Sequence, residues 1–163
     1  MSDVASRVVV RPYRLPEDAE ALSRVFYDSE RWHHDIDDLP PLLPPLDLEY
    51  ARKRFAGLTA ADPDRALLAA EVDGEVVGLA EAKMRRDDAA GFVGAYVDEL
   101  AVAESWRGRG VGTVLMAALE EWARGRGAIS VALDHFHTND GAHRLYERLG
   151  FRVRGVIMEK RLT

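Results

Sequence analysis

The sequence predicts an α/β domain of the α+β kind: a mostly antiparallel twisted sheet with one parallel strand pair, flanked by about four helices. Several apolar β-type runs joined by short turns precede a single strand, helix, strand unit. Such a unit is expected to pair its two strands in parallel. With 163 residues, 47% of them hydrophobic, the chain is long enough for one core, so residues 1–163 are predicted to form a single domain.

The first half of the chain predicts one short strand and two helices separated by a long connection. Residues 7–11 (RVVVR) form a β-branched run, and the apolar residues after Pro16 recur at helical spacing behind an acidic first turn. A second short helix is expected over residues 48–58. Because residues 32–47 contain four of the seven prolines, an extended loop is predicted between the two helices.

Three β segments follow the second helix. Residues 66–72 and 76–84 are joined by an Asp-Gly dipeptide, which is typical of a tight hairpin. An acidic, glycine-containing connector at residues 87–91 leads into the third segment, residues 93–102. These segments are expected to form the antiparallel part of the sheet.

The final third of the chain predicts the parallel unit. From Val111 onward, apolar residues recur at i+3, i+4, i+7, i+8 and i+11, so one face of this helix is apolar. Residues 129–133 form the next β run. A last helix is expected between Asn139, a suitable N-cap, and Gly150, and residues 151–162 supply the final strand or strand pair.

Composition excludes several classes of function. The 22 Lys and Arg residues against 28 Asp and Glu residues give a net charge of −6, which argues against a nucleic-acid partner. The chain has no cysteine, so disulfides, Cys-based zinc sites and thiolate catalysis are excluded. No stretch approaches the apolar length of a membrane span, and the N-terminus lacks the apolar core of a signal peptide. A cytoplasmic protein with no membrane partner is predicted.

Three glycines stand where the helix at Val111 begins. Gly108, Gly110 and Gly112 alternate with Arg107, Arg109 and Val111 in the stretch RGRGVG. The free N–H groups and positive dipole end of a helix start favour an anion, and glycines let the anion approach the backbone closely. A tight turn alone is the alternative, but it does not require two arginines. The cluster therefore predicts a phosphate site.

Two common glycine patterns fit this stretch poorly. The P-loop pattern fails because no lysine follows the glycines. A dinucleotide fingerprint is nearly met by Gly108, Gly110 and Thr113, with Asp134 at the end of the next strand. Its third small residue is a threonine, however, and too little chain remains to repeat the strand and helix unit. A nicotinamide-binding protein is thus a disfavoured alternative.

A third pattern fits. RGRGVG matches [RQ]-x-x-G-x-[GA], and VDELAVAESWRGRGVGTVLM resembles the acetyl-coenzyme A motif of the GNAT superfamily of N-acetyltransferases. Downstream, NDGAHRLYERLGF resembles the N-x-x-A-x-x-L-Y-x-x-x-G-F element of the same family. The stretch VVVRPYRLPEDAEAL is similar to the family's opening strand and helix. The resemblance covers most of the chain and is strongest after Val93.

The resemblance implies an acetyltransferase that moves acetyl from acetyl-CoA to a primary amine of a small molecule or peptide, by direct attack in a ternary complex. It implies no metal, and a homodimer is compatible with it. Backbone amides of the glycine stretch would hold the pyrophosphate, and the strand before it would pair with the pantetheine arm. The resemblance also implies that the parallel pair, residues 93–102 and 129–133, splays apart to admit this arm. A non-catalytic coenzyme A binding or sensing module is the alternative. The implied coenzyme-binding residues are Leu100, Ala101, Val102, Arg107, Gly108, Arg109, Gly110, Val111, Gly112, Thr113, Asn139, Ala142 and Tyr146.

Acetyl transfer needs a base for the amine proton, and the departing thiolate gains from an acid. The resemblance favours Tyr146 as the acid, since a phenol keeps its proton at pH 7; a core aromatic is the alternative. Glu99 is the candidate base, with Asp98 or a water chain left open as alternatives. Strand alternation places Asp98 on the opposite face unless a bulge intervenes. A backbone N–H near Val102 is expected to polarise the thioester carbonyl.

The acceptor amine is expected to bind under the first helices and their loop, as the resemblance implies. This region is acidic and aromatic, which suits a cationic amine, although a solvated acidic loop is an alternative. A polyamine, an aminoglycoside-like antibiotic, an amino acid and a protein N-terminus are all compatible with it. The candidate acceptor-binding residues are Tyr27, Glu30, Trp32, Asp35 and Asp98.

Four histidines occur as two close pairs, which raises the question of a metal. His33 and His34 are adjacent, and His135 and His137 alternate near a strand end. No carboxylate spacing completes a ligand set with either pair. No metal site is predicted.

Overall fold

The computed structural model describes residues 4–37, 47–59, 62–160 and 162. Within them the sheet has five strands in the order β1-β2-β3-β4-β5, antiparallel except for the parallel pair β4 and β5. The predicted fold class is confirmed, and the sheet is open. The strands are β1 (Val9–Pro12), β2 (Arg65–Val72), β3 (Glu75–Asp87), β4 (Phe92–Val102) and β5 (Val131–Ala132); the helices are α1 (Ala19–Ile36), α2 (Leu48–Ala56), α3 (Val111–Arg124) and α4 (Asp140–Arg148).

The helices cover both faces of the sheet. Helices α3 and α4 pack on one face, and α1 and α2 pack on the other, so successive strand residues alternate between two apolar clusters. The sheet is therefore the middle layer of three. The first cluster includes Ala80, Val97, Leu115, Leu119 and Tyr146, and the second includes Leu22, Phe26, Phe55, Leu79 and Ala101.

Helix α3 lies unusually close to the centre of the sheet because β3 carries a glycine there. A Cβ atom on Gly78 would lie 3.1 Å from the Ala101 carbonyl oxygen, 3.1 Å from Leu115 Cδ1 and 3.2 Å from Val111 Cγ1. Glycine therefore permits the first turn of α3 to rest on the strands. This contact holds the start of α3 just beyond the end of β4.

The two parallel strands pair over a very short stretch. Only Ala95 with Val131 and Tyr96 with Ala132 are in register, so β5 is shorter than the predicted run of residues 129–133. Beyond Tyr96, β4 continues to Val102 with β3 on one side, and no described strand pairs with its other side. The strands diverge there and leave one edge of β4 open.

Helix α1 is longer than predicted. It continues to Ile36, so the prediction of an extended loop from Trp32 is wrong for residues 32–36. Proline restricts only itself and the residue before it, and the first proline of this stretch is Pro40. Residues 38–46 of the predicted loop lie outside the described residues.

The predicted strand or strand pair at residues 151–162 is also wrong for the part that is described. Residues 151–160 form no strand, and the side chains of Val153, Val156, Ile157 and Met158 are between 72% and 88% exposed. The β propensity of these residues reflects how well they pack on a pleated, half-buried surface, so it takes effect only where a neighbouring strand is available. The two-residue β5 provides almost no edge for such a segment to pair with.

Replacing Gly78 by alanine tests the close contact between α3 and the sheet. We expect Gly78→Ala to lower the free energy of unfolding by about 1–3 kcal/mol, because backbone and two side chains must move to admit the methyl group. Gly155→Ala is the matched control, since a Cβ there meets nothing within 4 Å; its effect should stay within about 1 kcal/mol. Urea unfolding measures both, and equal effects would contradict the interpretation.

Candidate active site

The turn between β4 and α3 presents a row of backbone donors. Gly108 and Gly110 have φ of 71° and 88°, the left-handed region that favours glycine, and Gly110 caps α3 without a side-chain hydrogen bond. Within the described part of the chain, the N–H groups of residues 108–113 have no hydrogen-bond acceptor. With the positive end of the α3 dipole added, the turn suits an anionic ligand.

The two arginines of this turn stack on tryptophans. Arg107 donates from Nε to the Val102 carbonyl at 3.0 Å, and its guanidinium lies 5.1 Å from the centre of the Trp32 ring. Arg109 lies 5.4 Å from the Trp106 ring in the same manner. Trp32, predicted to contact the acceptor, thus packs against the glycine turn and joins α1 to the end of β4.

The open edge of β4 exposes the main chain of alternate residues. The Ala103 N–H donates to Val77 of β3 at 2.9 Å, so backbone alternation directs the polar groups of Ala101 toward β3 as well. Those of Leu100 and Val102 point the other way, into the gap. The Val102 carbonyl already accepts a hydrogen bond from Arg107, so the N–H is the main-chain group of Val102 that remains available at the open edge.

A bulge interrupts β4 at the predicted base. Glu99 lies opposite Glu81 of β3, whereas Val97 lies opposite the next residue, Ala82. Two residues of β4 therefore stand opposite one step of β3, and Asp98 is the extra residue. The bulge therefore places the Asp98 and Glu99 side chains on the same face of the sheet.

Both carboxyl groups lie on the α1–α2 face of the sheet. Glu99 alternates with Ala101, which belongs to the cluster under these helices. Strand β3 places Lys83 on the same face as Glu81, which contacts α2, and Lys83 holds Asp98 in a 2.6 Å ion pair. Asp98 is therefore neutralised by a lysine, while Glu99 is half-buried beside it.

Burial and neighbouring charge raise the pKa of Glu99 to about 8. Desolvation is the largest cause, the negative charge of Glu30 on α1 adds to it, and Arg54 of α2 opposes both. Glu81 and Asp98 contribute smaller increases. Most Glu99 side chains are thus protonated at pH 7, and they ionise as the pH rises through 8.

Opposite Glu99, on β3, lies a buried charge that the sequence did not lead us to expect. Glu81 is 1% exposed and accepts two hydrogen bonds from Arg54, at 2.9 and 2.7 Å. The Tyr13 hydroxyl donates to the same carboxylate at 3.2 Å. A glutamate in the apolar run VVGLAEAKM was the available signal, because an acid at a buried strand position needs a partner.

Tyr146 of α4 packs in the apolar cluster on the α3–α4 face of the sheet. It is 9% exposed, and burial, followed by the charges of Glu99 on β4 and Asp134 just after β5, raises its pKa to about 12. Its ring packs 5.8 Å from those of both His135 and Phe151. The phenol therefore stays protonated across the physiological pH range.

Helix α1 also reaches the start of α4. Asn139 accepts from the Ala142 N–H at 2.9 Å, which confirms the predicted N-cap, and its Nδ2 lies 3.5 Å from His33 Nε2. His33 Nδ1 in turn lies 3.5 Å from a Glu30 carboxylate oxygen. The end of α1 therefore crosses the gap between β4 and the β5–α4 connection.

The predicted acceptor residues separate into two groups. Glu30 and Asp98 lie beside Glu99, and Tyr27 packs against the α1–α2 core. Asp35 lies farther along α1, at a cavity of about 160 Å³ beside the glycine turn. The residues lining this cavity are Asp28, Arg31, Trp32, Asp35, Glu104 and Arg107.

Two further features concern the described residues as a whole. None of their helices is both long and apolar enough to cross a membrane. They contain no group of three or more His, Asp or Glu side chains arranged to hold a metal ion. Instead His135 Nε2 lies 3.2 Å from His143 Nδ1, and His33 contacts Glu30 and Asn139.

Comparison with known proteins gives one consistent result. Residues 25–151 match the profile described as the Acetyltransferase (GNAT) family. An integron cassette protein from V. cholerae has a TM-score of 0.74 at 18% identity, over 96% of this chain and 93% of that one. That likeness shows the shared fold.

Two relatives carry the same name. An aminoglycoside N(6′)-acetyltransferase type 1 of Stenotrophomonas maltophilia is 37% identical over 95 residues, covering 56% of this chain and 62% of the relative. A protein of that name from Klebsiella aerogenes is 37% identical over 99 residues, covering 60% and 65%. The similarity spans less than two thirds of either relative.

The raised pKa of Glu99 predicts a pH-dependent cost in stability. Between its ordinary value of about 4.3 and its folded value of about 8, the folded chain holds a proton that the unfolded chain has lost. Stability therefore falls as the pH rises through this window. We expect Glu99→Gln to match the wild type near pH 4.5 and to be more stable at pH 9, by on the order of a few kcal/mol.

Thermal unfolding between pH 4.5 and 9 measures this difference. Glu75→Gln, at an exposed position at the start of β3, controls for the loss of one negative charge. If the difference in stability between Glu99→Gln and the wild type did not increase with pH, Glu99 would have an ordinary pKa.

Proposed function

Because this chain belongs to the GNAT acetyltransferase family, we propose that it is an N-acetyltransferase that moves acetyl from acetyl-CoA to a primary amine in a ternary complex. The observation that carries the proposal is the open edge of β4, which has Glu99 and the Val102 N–H on one short stretch. A donor for the thioester oxygen and a base for the amine thus come from the same strand.

The glycine turn and the open strand edge fit coenzyme A. The free N–H groups of residues 108–113 suit its pyrophosphate, and the main chain of Leu100, which faces the open edge, suits an amide of its pantetheine arm. Asn139 and Ala142 border the same gap at the start of α4. The bound thioester supplies an activated acetyl group, whose carbonyl the Val102 N–H would polarise.

Glu99 has the properties of a general base. Efficient proton transfer needs a base whose pKa lies near the working pH, and Glu99 at about 8 meets this condition. An incoming ammonium group would favour the ionised carboxylate, which then takes the proton that the amine must lose. Since only the ionised form can accept a proton, the rate of transfer should rise with pH through about 8.

Tyr146 suits the departing sulfur. With a pKa of about 12 it is a neutral donor that can hydrogen-bond to the thiolate. Complete proton transfer to a thiolate, whose conjugate acid has a pKa of about 8.5, is uphill by roughly 3–4 pH units. Its contribution is therefore mainly a hydrogen bond to developing negative charge, which is stronger than one between neutral groups.

A cationic small molecule is the acceptor class that the site favours. Among the described residues, Glu81 forms ion pairs with Arg54 and Arg65, and Asp98 forms one with Lys83. Glu30 over the α1–α2 face and Glu99 on it have no lysine or arginine ion-pair partner in the described part of the chain, so these two carboxyl groups are open to a cationic acceptor. Amines with several positive charges gain most in such surroundings. The names of the two relatives make aminoglycosides the first compounds to test.

The direct test is acetyl-CoA-dependent thiol release with a panel of amines. We expect turnover with an aminoglycoside that carries a 6′-amino group and little with its 6′-hydroxyl counterpart. A polyamine, an amino acid and a peptide N-terminus complete the panel. Coenzyme A binding without transfer to any of these amines would replace the enzyme with a coenzyme-binding module.

Tyr146→Phe serves as the internal control of that assay. It should slow turnover about 10- to 100-fold, the loss expected for one hydrogen bond to a charged group, while coenzyme A affinity stays close to that of the wild type. Equal rates for the two proteins would remove Tyr146 from the mechanism.

Gly108 offers a test of the pyrophosphate site. Gly110 is unsuitable, because a Cβ there lies 3.0 Å from the Ala5 Cβ, whereas nothing lies within 4 Å of one on Gly108. Asp and Asn both tolerate the left-handed backbone of Gly108, and they differ in charge. We expect Gly108→Asp to bind coenzyme A roughly tenfold more weakly than Gly108→Asn by calorimetry.

The same titration tests the dinucleotide alternative. NADH run in parallel should give no saturable heat with the wild-type protein. Equal coenzyme A affinities for the two Gly108 variants would place the pyrophosphate elsewhere.

A further inference from the structure

The buried ion pair between α2 and β3 lies beside the proposed base, because Glu81 is directly opposite Glu99 in the sheet. We infer that Arg54 and Glu81 are positioning residues of the acetyl transfer, whose charges beside the β4 bulge set the pH at which Glu99 accepts a proton. The inference rests on the proposed role of Glu99 and adds to it a pair of residues that do not touch the substrates.

The geometry of the pair is tight and specific. Arg54 binds both oxygens of Glu81, at 2.9 and 2.7 Å, and its guanidinium lies 4.7 Å from the Phe26 ring centre and 4.8 Å from that of Phe55. These contacts leave the guanidinium few other positions. Arg54 is therefore a fixed positive charge at the floor of the acceptor side.

Further polar groups complete the surroundings of Glu81. The Tyr13 hydroxyl donates to Glu81 at 3.2 Å, and Arg65 of β2 approaches the other carboxylate oxygen at 3.6 Å. Burial and the Glu81 charge raise the pKa of Tyr13 well above its usual range, so Tyr13 stays a neutral donor. The Glu81 carboxylate is thus held in place by three elements besides its own strand.

Sheet register links this pair to Glu99. Glu81 and Glu99 are directly opposite at the step where the bulge begins, and both side chains lie on the α1–α2 face. Cross-strand partners in an antiparallel pair have Cβ atoms about 4.5–5.5 Å apart. Two carboxyl groups at that separation repel when both are ionised, and the Arg54 charge counters this repulsion.

Stability alone does not require this pair. Desolvating two ions usually costs as much as their attraction gains, and apolar residues of similar volume are often at least as stabilising. What apolar residues cannot do is place charge next to Glu99. The ion pair therefore supplies the charges that adjust the pKa of Glu99, which an apolar core could not supply.

Several charged and titratable groups act on Glu99. Arg54 favours its ionised form, while the remaining acids oppose it. The groups that face Glu99 come from every element packed around it. They are Asp98 on β4, Glu81 on β3, Arg54 on α2, Glu30 on α1 and Tyr146 on α4, and Tyr13 and Arg65 act in turn on Glu81.

Two neutralising substitutions separate the electrostatic role from a structural one. Glu81→Gln removes a negative charge beside Glu99 and leaves Arg54 in place, so Glu99 should ionise at lower pH. Arg54→Gln removes the favourable charge and leaves Glu81, so Glu99 should ionise at higher pH. Both break the same ion pair, and loss of packing alone would not move the two midpoints in opposite directions.

The ionisation of Glu99 can be read without an assay. Carbon-13 NMR of labelled glutamate carboxyl groups, with the Glu99 signal assigned by its loss in Glu99→Gln, follows its titration in each variant. We expect the midpoint to fall by about one pH unit in Glu81→Gln and to rise by a similar amount in Arg54→Gln. The pH dependence of kcat/KM should move in the same directions.

Arg54→Lys keeps the positive charge and completes the set. Its midpoint should stay near that of the wild type even if its stability falls, so a rise seen in Arg54→Gln and absent in Arg54→Lys comes from the lost charge. If Arg54→Gln does not fold, the fall in Glu81→Gln against the constant midpoint in Arg54→Lys is the test. Unchanged midpoints in both Glu81→Gln and Arg54→Gln, or midpoints of these two variants that move together, would overturn the inference. If the NMR midpoints move apart while kcat/KM keeps its pH dependence in Glu99→Gln, the base assignment fails and the tuning stands.

Discussion

The unpaired edge of β4 is the constraint on which the rest of the site depends. β4 and β5 are in register at only two positions, and after Tyr96 alternate main-chain groups face a gap instead of a strand. Buried backbone polar groups need partners, so such an edge suits an extended polar ligand. The glycine turn lies at the end of this edge, and Glu99 lies on the same stretch of strand. Tyr146 of α4 is close enough to be affected by the charges of Glu99 and of Asp134 just after β5. The divergence of β4 and β5 thus leaves the free N–H groups of the glycine turn, the Tyr146 phenol and the Glu99 carboxyl group in one region of the molecule.

A single extra residue in β4 decides the electrostatics of the acceptor side. Without the bulge at Asp98, Asp98 and Glu99 would point to opposite faces of the sheet. With it, both lie on the α1–α2 face, where Lys83 pairs with the exposed Asp98 and burial acts on Glu99. The positive charge that counters the effect of burial on Glu99 belongs to Arg54, which also pairs with Glu81. The chemistry of Glu99 is therefore a property of four elements of the fold and not of its own strand.

The length of α1 links the two proposed substrates. Because the helix continues to Ile36, Trp32 reaches Arg107 at the glycine turn and His33 reaches Asn139 at the start of α4. Glu30, one turn earlier, acts on Glu99. The helix over the proposed acceptor site thus contacts the residues proposed to hold the coenzyme.

The sequence by itself determined the class of fold, the order of most elements, the glycine turn, the N-cap at Asn139 and the family resemblance, because these depend on local periodicity, backbone freedom and short motifs. It did not reveal that α1 continues past Trp32, that residues 151–160 form no strand, or that Trp32 packs on Arg107, since each depends on which partner lies nearby. The sequence identified Asp98 and Glu99 as candidates but did not show that their side chains share a face, because this depends on the one-residue bulge in β4. The burial of Glu81 against Arg54, residues 27 positions apart in the chain, is decided by the tertiary structure alone, because only packing sets the dielectric surroundings and charged neighbours of an ionisable group.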